Sequence, residues 1–219
     1  MDIKVDKNTV VVFDLDDTLY NEIEYLKSAY KYIAKQLDAN NWKRLYIQMF
    51  SDYRSGKNVF ELVSIEYKTK TADLLKIYRN HVPDISPFPG VTELFEKIKI
   101  KGGKIAIVTD GRSITQRNKI KSLGLQNLID FIVISEEIKS EKPNLKNFTA
   151  VENEFMLSSY YYIGDNIIKD FYAPKKLGWE CILLVDNGLN IHFDPNVSSI
   201  VREQELSLIF NMESLNIIV

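Results

Sequence analysis

The spacing of apolar residues changes along the chain, and those changes divide it. Val10-Val11-Val12-Phe13 is a short, continuous, β-branched run, the pattern of a strand buried on both faces. Similar runs recur at Ile105–Val108, Phe131–Ile134, Tyr160–Ile163 and Cys181–Val185. Helical spacing lies between them. Val91, Leu94, Phe95 and Ile98 share one face, and Gly102-Gly103 ends that helix. Ser113 with Gln116 three residues on predicts a capping box opening a helix that stops near Gly124. Asn144 to about Asn153, Asp170 to Leu177, and Glu203 to Phe210 predict further helices. From residue 90 onward helix and strand alternate, which predicts an α/β fold with a parallel sheet covered on both faces.

Residues 20–88 break the alternation. Ile23, Leu26, Tyr30, Ile33 and Leu37 step by three and four, predicting one long amphipathic helix. Trp42, Leu45, Tyr46, Met49 and Phe50 predict a second, with Asn58 and Thr71 as N-caps of a third and a fourth. Pro83, Pro87 and Pro89-Gly90 close the segment. The expectation is an α/β core from residues 1–19 and 89–219 and a helical lobe from residues 20–88.

Composition narrows the function classes. The 219 residues are 45% hydrophobic, enough for a core of ordinary size, and carry 28 basic against 30 acidic side chains. That balance removes the electrostatic case for a nucleic-acid partner. Cys181 is the only cysteine, and His81 and His192 the only histidines, so neither a disulfide nor a thiolate or imidazole metal site is available. No run approaches the ~18 apolar residues of a membrane span, and Met1 to Asp6 lacks a signal-peptide core. The expected setting is a reduced, cytoplasmic one with no membrane partner.

Chemistry concentrates where the apolar runs end. Asp14-Leu15-Asp16-Asp17-Thr18 places three carboxylates in four positions, and these repel one another unless something neutralises them. In an open parallel sheet the carboxyl ends of the strands face the ligand crevice. Crowded acids there call for a cation, and oxygen ligands without Cys or His suit Mg²⁺. Thr109-Asp110-Gly111 follows the second run and precedes a helix start, the composition of a phosphate cradle. Glu141-Lys142-Pro143 follows the third, and Lys142 is a candidate ammonium for the same crevice. Gly164-Asp165-Asn166, with Asp170 five positions on, supplies a second pair of acids after the fourth.

In this order the segments resemble the four motifs of the haloacid dehalogenase superfamily of phosphotransferases, over nearly the whole chain. Asp14-x-Asp16-x-Thr18 is similar to the first motif, Thr109 to the second, Lys142 to the third, and Gly164-Asp165 with Asp170 to the fourth. The resemblance implies a Rossmann-like core closed by an inserted helical, C1-type cap. It implies Asp14 as the nucleophile that becomes an aspartyl phosphate and Asp16 as general acid and base. It further implies Mg²⁺ on Asp14, the Asp16 carbonyl and Asp165, supported by Asp170. Thr109 and Lys142, with amides near Asp110 and Gly111, would take the phosphoryl oxygens. Dehalogenating members lack an acid at the position of Asp16, so its presence implies phosphate-ester chemistry on a small-molecule ester. A sugar-phosphate mutase needs the same acid, although mutase-like relatives commonly carry Asp-Gly-Val after the second Asp position, whereas this chain has Asp17-Thr18-Leu19. A non-catalytic phosphate-binding module on this scaffold also remains open.

The lobe is where substrate selection is expected. Tyr20, Asn21 and Glu22 directly follow the first motif, and Arg54 and Lys57 flank a glycine turn. Tyr160-Tyr161-Tyr162 reads as strand packing, and Trp42 and Trp179 as core or lobe anchors.

Overall fold

The computed structural model describes residues 1–192, 201 and 206–218. Six parallel strands form the main sheet: β2 (Thr9–Phe13), β3 (Lys104–Thr109), β4 (Phe131–Ile134), β5 (Ser159–Gly164), β6 (Glu180–Leu184) and β7 (Ser207–Ile209). Their spatial order is β4-β3-β2-β5-β6-β7. The chain runs outward from β2 through β3 to β4, then returns to the other side of β2 to lay down β5. The carboxyl ends of β2, β3 and β5 therefore flank the point where strand order reverses, the usual ligand crevice of such sheets.

β2 shows why the central strand is apolar at every position. Val11 and Phe13 face one cluster with α5 (Val91–Ile100), while Val10 and Val12 face another with α8 (Leu145–Phe155) and α9 (Tyr172–Lys176). Both faces are covered, so no polar alternation appears. A fourth helix of the core, α6 (Ser113–Ser122), follows β3, and the single turn α7 (Ser135–Ile138) follows β4. β1 (Asp2–Lys4) and β8 (Asn216–Ile218) pair in parallel as a separate ribbon. Among the described residues no helix is long and apolar enough to cross a membrane.

Between β2 and α5 lie four helices: α1 (Glu22–Leu37), α2 (Trp42–Arg54), α3 (Val59–Glu66) and α4 (Thr71–Asn80). They bury a core of their own around Ile23, Tyr30, Ile33, Leu45, Met49, Val63 and Leu74. Trp42 packs at its margin, whereas Trp179 is buried in the main core, stacked on Tyr160 at 4.8 Å.

Several local expectations change. Asn58 caps α3 as expected, accepting from Glu61 N, and Asn144 caps α8, accepting from Lys146 N. Arg112 and Lys70 occupy the other two N-cap positions, without side-chain capping bonds. The capping box does not form because Gln116 is drawn inward to buried oxygen atoms, while Ser113 donates from Oγ to Glu137. The Thr71 hydroxyl instead donates to Ser64 Oγ. The helix expected over Asp170–Leu177 is only Tyr172–Lys176, because Asp170 and Asn166 are tied into a turn of their own. The helix expected over Glu203–Phe210 is a strand at Ser207–Ile209, hydrogen-bonded along the edge of β6; its first three residues lie outside the described residues.

Candidate active site

Asp14 directly follows β2, and its amide donates to Ile163 O of the neighbouring strand at 2.9 Å. That bond fixes its backbone at the crevice. Asp165, directly after β5, and Asp170, five residues on, meet it there. One carboxylate oxygen from each of Asp14, Asp165 and Asp170 lies within 4.8 Å of the others. Lys142 enters from the loop before α8, and its ammonium is 2.7 Å from Asp14 Oδ1 and 2.7 Å from Asp170 Oδ1. The Tyr162 hydroxyl donates to Asp170 Oδ1 at 3.0 Å, so the middle tyrosine of β5 serves the site as well as packing the strand.

Second partners hold the acids in place. Thr18 Oγ1 donates to Asp165 Oδ1 at 3.1 Å, and Asn190 Nδ2 donates to Asp165 Oδ2 at 2.8 Å. The Asn166 amide donates to Asp170 Oδ2. Asp17 adopts φ +56° and accepts from the amides of Glu22 and Ile191, so it ties the loop after β2 to the lobe entrance. Left-handed backbone is tolerable for Asp because its short carboxylate finds local donors.

The electrostatics follow from three acids sharing one ammonium. Burial pushes Asp14 up to about 8, with Asp170 and Asp16 adding to it and Lys142 opposing. Burial also raises Asp165 well above the usual carboxylate range, reinforced by Asp14 and Asp170. Burial alone would lower Lys142, but Asp14 and Asp170 hold it firmly protonated. Asp16 behaves oppositely. Its burial is outweighed by Lys119, Tyr20 and Gln116, which bring it below its ordinary value.

Thr109 closes the opposite wall, where its Oγ1 accepts from Gln116 Nε2 at 2.7 Å. Asp110 braces the lysine loop: Oδ1 accepts from the Lys142 amide and Oδ2 from Lys169 Nζ. The Gly111 amide, expected to face phosphate, donates instead to Ser135 Oγ at 2.9 Å, because β4 and α7 bring that hydroxyl beneath the loop. Tyr20 is buried, and its hydroxyl donates to Asp16 Oδ1 at 2.5 Å. Glu22 lines the cavity, and burial followed by Asp16 raises it to about 7. Arg54 and Lys57 are exposed; Arg54 lies over Phe50, Lys57 pairs with Asp52, and neither lines the cavity around Asp14. That cavity measures about 100 Å³ and is walled by Asp14, Asp16, Glu22, Thr109, Lys142 and Lys169 among others.

The family model of haloacid dehalogenase-like hydrolases matches residues 11–184, the stretch that carries every one of these acids and Lys142. The chain belongs to that family. It is 29% identical over 184 residues to the glyceraldehyde 3-phosphate phosphatase of Methanocaldococcus jannaschii, covering 77% of this chain and 81% of that protein. It is 26% identical over 222 residues to the pyrimidine 5′-nucleotidase YjjG of Escherichia coli, covering 94% and 96%. Among solved structures, the magnesium-bound YfnB of Bacillus subtilis superposes with a TM-score of 0.65 at 20% identity, covering 94% of this chain and 96% of that one. At that identity the likeness establishes the α/β fold of the family.

A metal fits this donor set on the structure's own terms. Three clustered carboxylates, two buried and that of Asp165 half-buried, share the one Lys142 ammonium that pairs with Asp14 and Asp170, which leaves uncompensated negative charge among oxygen ligands alone. A hard divalent cation is the natural complement to such a set. Sequence reasoning misses Tyr162, Lys169 and Asn190, and also Lys119 and Gln116, which sit inside a helix rather than at a strand end.

Proposed function

We propose that this member of the haloacid dehalogenase-like hydrolases is an Mg²⁺-dependent phosphomonoester hydrolase that acts through an aspartyl phosphate on Asp14. The observation that carries this reading is the convergence of Asp14, Lys142, Asp165 and Asp170 at the strand-order reversal, with Asp16 held apart by its own donors.

Asp14 is the nucleophile: its free oxygen attacks phosphorus in line as the ester bond breaks. Asp16 gives a proton to the departing oxygen and then takes one from the water that cleaves the aspartyl phosphate. Lys142 and the Thr109 hydroxyl receive phosphoryl oxygens, where positioning and charge stabilisation do most of the work in phosphoryl transfer. Asp14, the Asp16 carbonyl, Asp165 and Asp170 would hold or support Mg²⁺, which supplies charge neutralisation between the nucleophile and the anionic ester. Residues 1–19 and 89–219 carry this chemistry, and residues 20–88 form the cap over it.

The substrate is a small phosphorylated metabolite met in the cytoplasm. A cavity of about 100 Å³ suits a short-chain ester, in keeping with relatives named for glyceraldehyde 3-phosphate. The test is phosphate release across a panel of triose, sugar and nucleoside monophosphates, with Mg²⁺ and with chelator. Release that needs the metal and disappears in Asp14→Asn supports the reading. Isomerisation without net phosphate release would favour a mutase, and metal-independent turnover would contradict the assignment.

A further inference from the structure

Helix α6 turns one face into the buried junction between the sheet and the four-helix lobe, and two polar side chains stand on it. Lys119 is 3% exposed. Its ammonium lies 2.7 Å from Asp16 Oδ1, 3.6 Å from Glu22 Oε1 and 4.6 Å from the centroid of the Tyr25 ring. One turn earlier, Gln116 Nε2 donates to Asp16 Oδ2 and to Thr109 Oγ1, each at 2.7 Å. The Tyr20 hydroxyl also donates to Asp16 Oδ1. Both oxygens of Asp16 therefore have fixed donors, and two of the three come from α6. Burying an ammonium in an apolar junction is costly unless its partner is well placed. A methionine would fill the same space without that cost.

We infer that Lys119 is the positioning residue for Asp16, fixing the side chain that exchanges protons with the leaving oxygen and with water; this rests on the phosphatase reading above. In the first step the Asp14–phosphorus bond forms and the ester bond breaks. Asp16 takes up a proton from solvent as the anionic ester binds beside it, the departing oxygen takes that proton, and Lys119 meets the carboxylate charge left behind. In the second step water attacks phosphorus and the Asp14–phosphorus bond breaks. The water proton returns to Asp16, and inorganic phosphate leaves. Lys119 contacts Asp16, Glu22 and Tyr25 and does not line the cavity, so it acts through Asp16. Because Glu22 and Tyr25 belong to α1, the seating of the lobe against α6 also bears on where Asp16 points.

The test exploits leaving groups. An alkyl ester such as glycerol phosphate needs a proton at its departing oxygen, whereas acetyl phosphate releases acetate without one. kcat/KM reports the first step alone. Lys119→Met should lower kcat/KM on glycerol phosphate by about 10²-fold and on acetyl phosphate by less than about threefold. Lys119→Arg should restore most of the alkyl-ester activity. If Lys119→Met does not fold, Tyr20→Phe, which removes one donor from the same oxygen, should show the same selectivity at smaller size. Equal losses on the two substrates in an otherwise active protein overturn this inference and leave the phosphatase reading intact. An unmodified protein that turns over neither ester overturns the reading and the inference together.

Discussion

Replacing Lys142 by Met keeps the length of the side chain and removes its charge, isolating the electrostatic role of this residue. The ammonium makes two contacts of 2.7 Å, to Asp14 and Asp170, and the three side chains are 3%, 8% and 0% exposed. Solvent screening is therefore slight, and the cost is that of breaking a buried pair, about 3–5 kcal/mol. Against a typical total of roughly 5–15 kcal/mol, that is a large fraction of the protein's stability. The loss should depend on pH, because the abandoned carboxylates can take up protons. Urea unfolding followed by circular dichroism, in chelator, should show the full loss near pH ~8 and a smaller one near pH ~5. Combining Lys142→Met with Asp14→Asn should recover part of the loss, since the two side chains are in contact. A loss below about 1 kcal/mol, the same at both pH values, would refute the buried ion cluster, because exposed pairs behave that way.

Gly164→Ala should be poorly tolerated: an added Cβ would lie 2.8 Å from Asp170 Cγ and 3.1 Å from its Cβ, and Asp170 is pinned by Lys142, Tyr162 and Asn166. Thermal unfolding should show about 1–3 kcal/mol of destabilisation, with phosphate release reduced at ordinary Mg²⁺ concentrations. Without metal, stability should fall as pH rises from about 4 to about 8. Asp14 moves from 3.8 to about 8 and Glu22 from 4.5 to about 7, so the folded chain binds those protons more tightly than the unfolded one. Mg²⁺ should therefore raise Tm more near pH ~8 than near pH ~5, where protons compete for the same oxygens. A melting temperature that climbs through this interval in chelator would contradict that sign. Arg54→Ala and Lys57→Ala should leave kcat/KM on small esters nearly unchanged, because neither side chain lines the cavity.

The parts of the fold legible in the sequence are those where one physical signal acts alone. Phe131–Ile134 is read correctly to the residue because a strand covered on both faces needs an unbroken apolar run. The acids and Lys142 are legible because each follows a strand, and parallel topology brings strand ends to one edge. Lys119 and Gln116 are not, because polar residues inside a helix ordinarily face water. Their signal is faint: with Ile120 and Leu123 they share one helical face, so the charged residue sits on the side that the apolar residues mark as buried. Ser113 misleads for a related reason, since its local capping pattern is overridden by Glu137 on another element. β1, β7 and β8 have three residues each, too few for a period to show, and β1 finds its partner at the far end of the chain.

The claim on which the account rests is that Asp14 accepts the phosphoryl group. Acid-quenching the protein during turnover with Mg²⁺ and mapping its peptides by mass spectrometry tests this directly. The account predicts one phosphoryl group on the peptide containing Asp14, absent when chelator replaces the metal and absent from Asp14→Asn. Turnover with no phosphorylated peptide, or with the group on a peptide lacking Asp14, would contradict it.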